Sequence, residues 1–129
     1  MENKPNPPRY PANWGVRFLC DCKKLDKAIN IHKGIAREIS SNSVCILSDH
    51  QICQQKKVAM HVMIPSLITD APQKIVKIIG SSISTILKEG MFLTEIEFLH
   101  VEEDGLKVLE RNLKQRFDPD IYGQIAQQA

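Results

Sequence analysis

Apolar and polar residues alternate with a period of two through most of the chain. Val16, Phe18, Cys20 and Cys22 share one parity, against Arg17, Leu19 and Asp21. Ile29, Ile31, Ile35 and Ile39 share another, against Asn30, His32 and Glu38. Successive strand side chains point to opposite faces, so both stretches predict half-buried strands. Val44-Cys45-Ile46-Leu47 is a short apolar run. Val58, Met60, Val62 and Ile64 alternate with Ala59, His61 and Met63 until Pro65 stops the pattern. Lys74 to Leu87 is long and rich in Ile and Val. Gly80 inside it predicts a bulge or bend. Lys88-Glu89-Gly90 reads as a hairpin turn, after which Phe92, Thr94, Ile96 and Phe98 alternate again. Six strands joined by turn signals predict an all-β barrel or sandwich, and closure would remove exposed edges.

Beyond residue 101 the period changes. Leu106, Leu109, Leu113 and Phe117 recur at helical spacing. Asp104 is the expected cap, and Arg111, Lys114 and Arg116 toward the far end suit the helix dipole. Asp118-Pro119 ends the helix, because a residue before proline avoids the α region. The predicted division is a Pro-rich arm over 1–15, a β-barrel over 16–101, a helix over 102–117, and a tail or short second helix over 118–129. In the arm, Pro5, Pro7, Pro8 and Pro11 fix φ and remove donors. It is therefore expected to be extended and to stay out of the sheet.

Composition narrows the function classes. The 129 residues fit one domain, and a chain of that length buries roughly two-thirds of its unfolded surface without staples. A net charge of +2 with 5% aromatics lacks the basic groove and stacking platforms of a DNA or RNA binder. No apolar run is long enough for membrane insertion, and MENKPNPPRYP has no signal-peptide core, which points to a cytoplasmic protein. Cys20-Asp21-Cys22 is too closely spaced for the usual C-x₂₋₄-C arrangement, so reduced core thiols are expected and no metal site. His32, His50, His61 and His100 are scattered. No Gly-rich phosphate loop, serine elbow or H-E-x-x-H occurs, and the serines lack an identifiable base. The expectation is a binding domain, no enzyme, with no cofactor.

Two segments carry a family resemblance. Arg37-Glu38-Ile39-Ser40-Ser41-Asn42-Ser43-Val44 resembles the PilZ signature, in which a strand runs into Asp/Asn-x-Ser-x-x-Gly before the next strand. Arg9, followed by Val16-Arg17-Phe18, resembles the arginine-bearing leader before the first PilZ strand. The resemblance covers roughly Pro5 to Phe117. It implies a six-stranded antiparallel PilZ-like β-barrel with a C-terminal α-helix, and cyclic di-GMP as ligand. It also implies a protein partner, with motility or type IV pilus machinery as an example. The chemistry is coherent. Arginine's planar fork fits phosphate and the guanine O6/N7 edge, and glycine lets a ligand approach the backbone.

On that resemblance the ligand residues are Arg9, Ser40, Glu38, Ser43 and Lys4. Arg9 and Ser40 match the motif. The first leader arginine falls on Pro5, with Lys4 beside it as a point charge. Glu38 is one methylene longer than the expected Asp, and Ser43 replaces the glycine. Losing one bidentate arginine contact costs about 1–3 kcal/mol, or about one to two decades of affinity. The expectation is weakened binding of cyclic di-GMP with relay to a protein. The alternative is an adaptor that binds no nucleotide. Trp14 is expected to anchor the arm on the barrel.

Overall fold

The structure is a computed structural model and describes residues 7–20, 31–67 and 71–117. Six strands, β1 (Tyr10–Cys20), β2 (His32–Ile39), β3 (Ser43–Ser48), β4 (Lys57–Ile64), β5 (Lys74–Lys88) and β6 (Met91–Val101), are followed by a helix, α1 (Glu103–Phe117). The sheet closes in the order β1-β2-β3-β6-β5-β4, every neighbour antiparallel. The expected all-β barrel with a C-terminal helix is the fold observed. Among the described residues, no helix is long and apolar enough to cross a membrane.

The period-two pattern sets the core. Trp14, Val16 and Phe18 of β1 point inward, as do Val58, Met60, Val62 and Ile64 of β4. Val44, Ile46, Val76, Ile78 and Ile96 complete the interior. β2 departs from expectation. Ile31 and Ile35 face outward, while Ala36 and Ile39 are buried. Arg37 is the cause: Ala36 pairs with Ile46 and Glu38 with Cys45, so Arg37 is an extra residue that switches the parity. A bulge of one residue moves every later side chain to the other face. Ile29 and Cys22 lie outside the described residues.

The predicted bend in β5 is present. Register shifts fall between Ile79 and Gly80 and between Ser82 and Ser84. At Gly80 a Cβ would sit 2.4 Å from Ile96 Cγ2 and 2.7 Å from the Glu97 carbonyl oxygen. Only a bare α-carbon lets β5 and the inward Ile96 approach so closely. The β5–β6 hairpin turns through Glu89 and Gly90, both at positive φ (53° and 79°), the conformation that matches the twist of paired strands.

Two boundaries differ from the sequence reading. The barrel begins at Tyr10, six residues earlier than expected, and it includes Pro11. Tyr10 and Pro11 pair with Ile39 and Glu38 of β2, whereas β1 meets β4 only from Val16 onward. Proline is tolerated because one side of this stretch is an edge that needs no donor. A register shift between Pro11 and Trp14, with Asn13 at φ 56°, carries the chain back into regular pairing. The residue before the helix is Glu102, not Asp104. Its carboxylate accepts from the Lys77 amide (3.1 Å) and its carbonyl from the Leu106 amide (3.1 Å), joining α1 to β5.

The helix buries Leu109 and Leu113 against the core. Tyr10 stacks on Phe117, with ring centroids 4.8 Å apart and planes 8° from parallel. The Arg116 guanidinium lies 5.8 Å over the Trp14 ring and donates to the carbonyls of Pro65 and Ser66. The arm is thereby anchored through Trp14 as expected, with Tyr10 as a second hold. Residues 121–126, where a second helix was expected, lie outside the described residues.

Gly80→Ala is expected to destabilise the fold by at least the roughly 1–3 kcal/mol of an overpacked core. Urea unfolding monitored by circular dichroism will show the midpoint fall, whereas the exposed Gly90, with no atom in the way of a Cβ, responds only through its positive φ.

Candidate functional site

The strands position the motif residues at one end of the barrel. β2 ends at Ile39 and β3 starts at Ser43, so Ser40-Ser41-Asn42 is the turn between them. Serine and asparagine favour such turns because their side chains bond neighbouring backbone. Here the Ser40 hydroxyl accepts from the amides of Asn42 (3.2 Å) and Ser43 (3.0 Å), and its proton has Asn42 Oδ1 at 2.9 Å. The Ser40 and Ser43 hydroxyls are 3.0 Å apart, and both residues are buried. The structure therefore brings Ser40 and Ser43 together and occupies their polar atoms with the turn itself.

Arg9 goes elsewhere. Its guanidinium forms an ion pair with Glu95 and lies 3.5 Å from Cys45 Sγ. Cys45 is the cross-strand partner of both Glu38 on β2 and Glu95 on β6. The three residues make one row across the outer face, and Arg9 covers its middle. Cys45 is buried in this way although its parity points outward. Burial pushes its thiol pKa up, the Arg9 charge opposes that, and Glu38 adds to it. Glu38 itself is exposed. Lys4 lies outside the described residues.

A cleft of about 480 Å³ runs between the leader and the helix. Pro7, Pro8 and Tyr10 form one wall, Arg111 and Lys114 are on the other, and Ser41 is at the turn. The leader thus lies against the bend after Ser40. A cleft of this size falls within the range of small-molecule sites. It offers apolar walls, two cations and the helix residue Glu110. A wider groove of about 610 Å³ lies on the outer face of β1, β4, β5 and β6, with Arg17, His61, Lys77 and His100 on its rim. No motif of the sequence falls on it.

Sequence reasoning missed Glu95, Arg111 and Lys114. Glu95 is one polar residue on an alternating strand, and only the β3–β6 register puts it beside Cys45. Arg111 and Lys114 read as dipole partners of the helix. It also missed that Cys20, His32 and His50 converge at the far end of the barrel. Their donor atoms all lie within 4.8 Å of one another, the one such group among the described residues able to hold a metal ion.

No protein-family model matches the sequence, and no curated protein matches it. A solved fold does match. The Bacillus subtilis inhibitor of motility, MotI/DgrA, superposes with a TM-score of 0.67 at 9% sequence identity. The alignment covers 92% of this chain and 53% of that one, so the chain spans about half the length of that protein. At this identity the likeness establishes the architecture: a closed six-stranded antiparallel barrel followed by a helix.

The covered thiol gives a direct check on the Arg9 position. Cys45 is expected to react with a disulfide reagent at neutral pH far more slowly than the exposed Cys53. Arg9→Ala uncovers it and raises its labelling rate, read by mass spectrometry of the modified peptide. Because the folded thiol titrates above the unfolded one, its neutral form stabilises the fold. That contribution is complete below the unfolded pKa of about 8.5 and is lost as pH rises through the folded value.

Proposed function

We propose that this barrel is a PilZ-type regulatory domain, not an enzyme, that takes cyclic di-GMP weakly at the leader–turn–helix cleft and relays its state to a protein partner. The observation that carries the reading is the pairing of Arg9 with Glu95 beside Glu38. Arg9 lies between Pro8 and Tyr10 of the cleft's leader wall, and its fork is already occupied by a carboxylate. A phosphate or guanine edge competes with Glu95 for that fork, and the nearby Glu38 carboxylate opposes an anion. Exposed ion pairs are worth little, about 0–1 kcal/mol, so the exchange is open to a ligand with two phosphates. Arg9 does not itself line the cleft, so the positive charge there comes from Arg111 and Lys114 on the helix wall.

The relay follows from the same contacts. The leader is held by the Arg9–Glu95 pair and the Tyr10–Phe117 stack. A ligand that draws Arg9 away changes what the leader and helix present to a partner. It shifts that equilibrium only by its differential affinity for the two arrangements. The similarity of fold to a protein named as an inhibitor of motility supports a regulatory role and makes motility machinery the first class of partner to test.

A second reading rests on the turn. The Ser40 and Ser43 hydroxyls are buried and engaged with each other and with backbone. Ligand contacts there would break bonds that hold the turn. On this reading the barrel binds no nucleotide, and Arg9–Glu95 is a permanent clasp that shapes a protein-docking surface.

Calorimetry with cyclic di-GMP separates the two. The receptor reading predicts saturable heat for the wild type, loss of it in Arg9→Ala, and tighter binding in Glu95→Gln, about fivefold if the freed pair was worth its full ~1 kcal/mol. Absence of heat in both the wild type and Glu95→Gln leaves the adaptor reading. If Glu38→Asp with Ser43→Gly also leaves binding unchanged, the motif correspondence is wrong.

A further inference from the structure

We propose that Cys20, His32 and His50 form a binding site for a zinc-class transition-metal ion at the barrel end opposite the leader cleft. β1 runs from Tyr10 to Cys20, and β2 returns from His32 to Ile39, so the two sites are separated by the length of a strand, roughly 30 Å. The inference is independent of the reading given to the leader cleft.

Three separate stretches of chain supply the donors. Cys20 is the last residue of β1, His32 the first of β2, and His50 follows β3. Phe18 pairs with His32 across β1 and β2, which brings His32 to the mouth of the barrel. His50 is delivered by a short turn in which the Ser48 hydroxyl donates to the His50 carbonyl (2.9 Å) and accepts from its amide (3.3 Å). Cys20 Sγ lies 3.0 Å from His50 Nε2. The His32 and His50 rings lie 3.6 Å apart and 13° from parallel, with Phe18 tilted against both. All three residues are half-buried, shielded from bulk water yet reachable.

The distances suit a tetrahedral ion after a small adjustment. Zn–S of 2.3 Å and Zn–N of about 2.1 Å place sulfur and nitrogen about 3.6 Å apart and two nitrogens about 3.4 Å apart. Cys20 and His50 need to separate by roughly half an ångström to admit the ion. The imidazoles turn about χ2, so that their lone pairs converge and the parallel stack opens. One thiolate and two imidazoles are soft and borderline donors, which select zinc-class ions over magnesium or calcium. Three protein ligands leave the fourth position to water, the pattern of a site open to exchange. The spacing of Cys20, His32 and His50 matches no short metal motif, so the site is not visible along the chain.

The test uses the full chain, stripped with a chelator and titrated with Co²⁺ alone. One equivalent is expected to give the intense visible bands of tetrahedral cobalt and a thiolate-to-cobalt charge-transfer band, both erased by one equivalent of Zn²⁺. Mg²⁺ in large excess leaves them unchanged. Cys20→Ser removes the charge-transfer band, and His50→Gln weakens binding by more than the 10–100-fold typical of losing an outer-shell partner. Cys53→Ser, at an exposed thiol outside the group, keeps the full spectrum. Circular dichroism of each metal-free variant checks that the barrel is intact. If a variant fails to fold, the wild-type cobalt spectrum still decides. Wild-type spectra without a thiolate band, or a Cys20→Ser protein that binds Co²⁺ as tightly as the wild type, would overturn the proposal.

Discussion

Closure of the sheet between β1 and β4 is the constraint on which the rest depends. Val16 to Cys20 pair with Val62 to Val58, and that seam converts an open sheet into a cylinder with no free edge along its middle. A small cylinder is filled by its own inward side chains. At two positions a strand must therefore come in without a side chain. Gly80 lies under Ile96, and Gly34 lies under Ile46, where a Cβ would be 2.8 Å from Ile46 Cγ2. The same closure gives the molecule two distinct ends. One holds the leader, the Ser40 turn and α1; the other holds Cys20, His32 and His50.

At the first end, a local electrostatic conflict is resolved by the leader. Glu38 and Glu95 flank Cys45 on the outer face of β2, β3 and β6. Arg9 lies over this row and pairs with Glu95. The leader's course is fixed further by Tyr10 on Phe117 and by Trp14 beneath Arg116. These contacts tie helix and leader together, so a change at one is felt at the other. On the proposed reading, this coupling is what would link the ligand cleft to the surface shown to a partner.

The fold was largely legible because alternation is a direct physical signal. The inward sets of β4 and of β1 through Phe18 follow from parity alone. Parity failed in β2 because Arg37 is a bulge, and nothing in a lone arginine announces one. The arm is shorter than the prolines suggest because Pro11 has a strand partner on one side only, where its missing donor costs nothing. The site was legible in part. Ser41 and the leader line one cleft at the same end of the barrel. That Arg9 is held by Glu95, and that three scattered Cys and His residues meet, depend on register between strands far apart in sequence. A single sequence does not encode that register visibly.

On the proposed reading, the leader and the Ser40 turn form one responsive unit at one end of a closed barrel. Hydrogen–deuterium exchange, measured by mass spectrometry with and without cyclic di-GMP, tests it most directly. Added ligand should slow exchange in two stretches together, the start of β1 and the turn into β3, and leave the β4–β5 ladder unchanged. Protection confined to the outer groove of β4 and β5, or no change at the leader and turn at any ligand concentration, would contradict it.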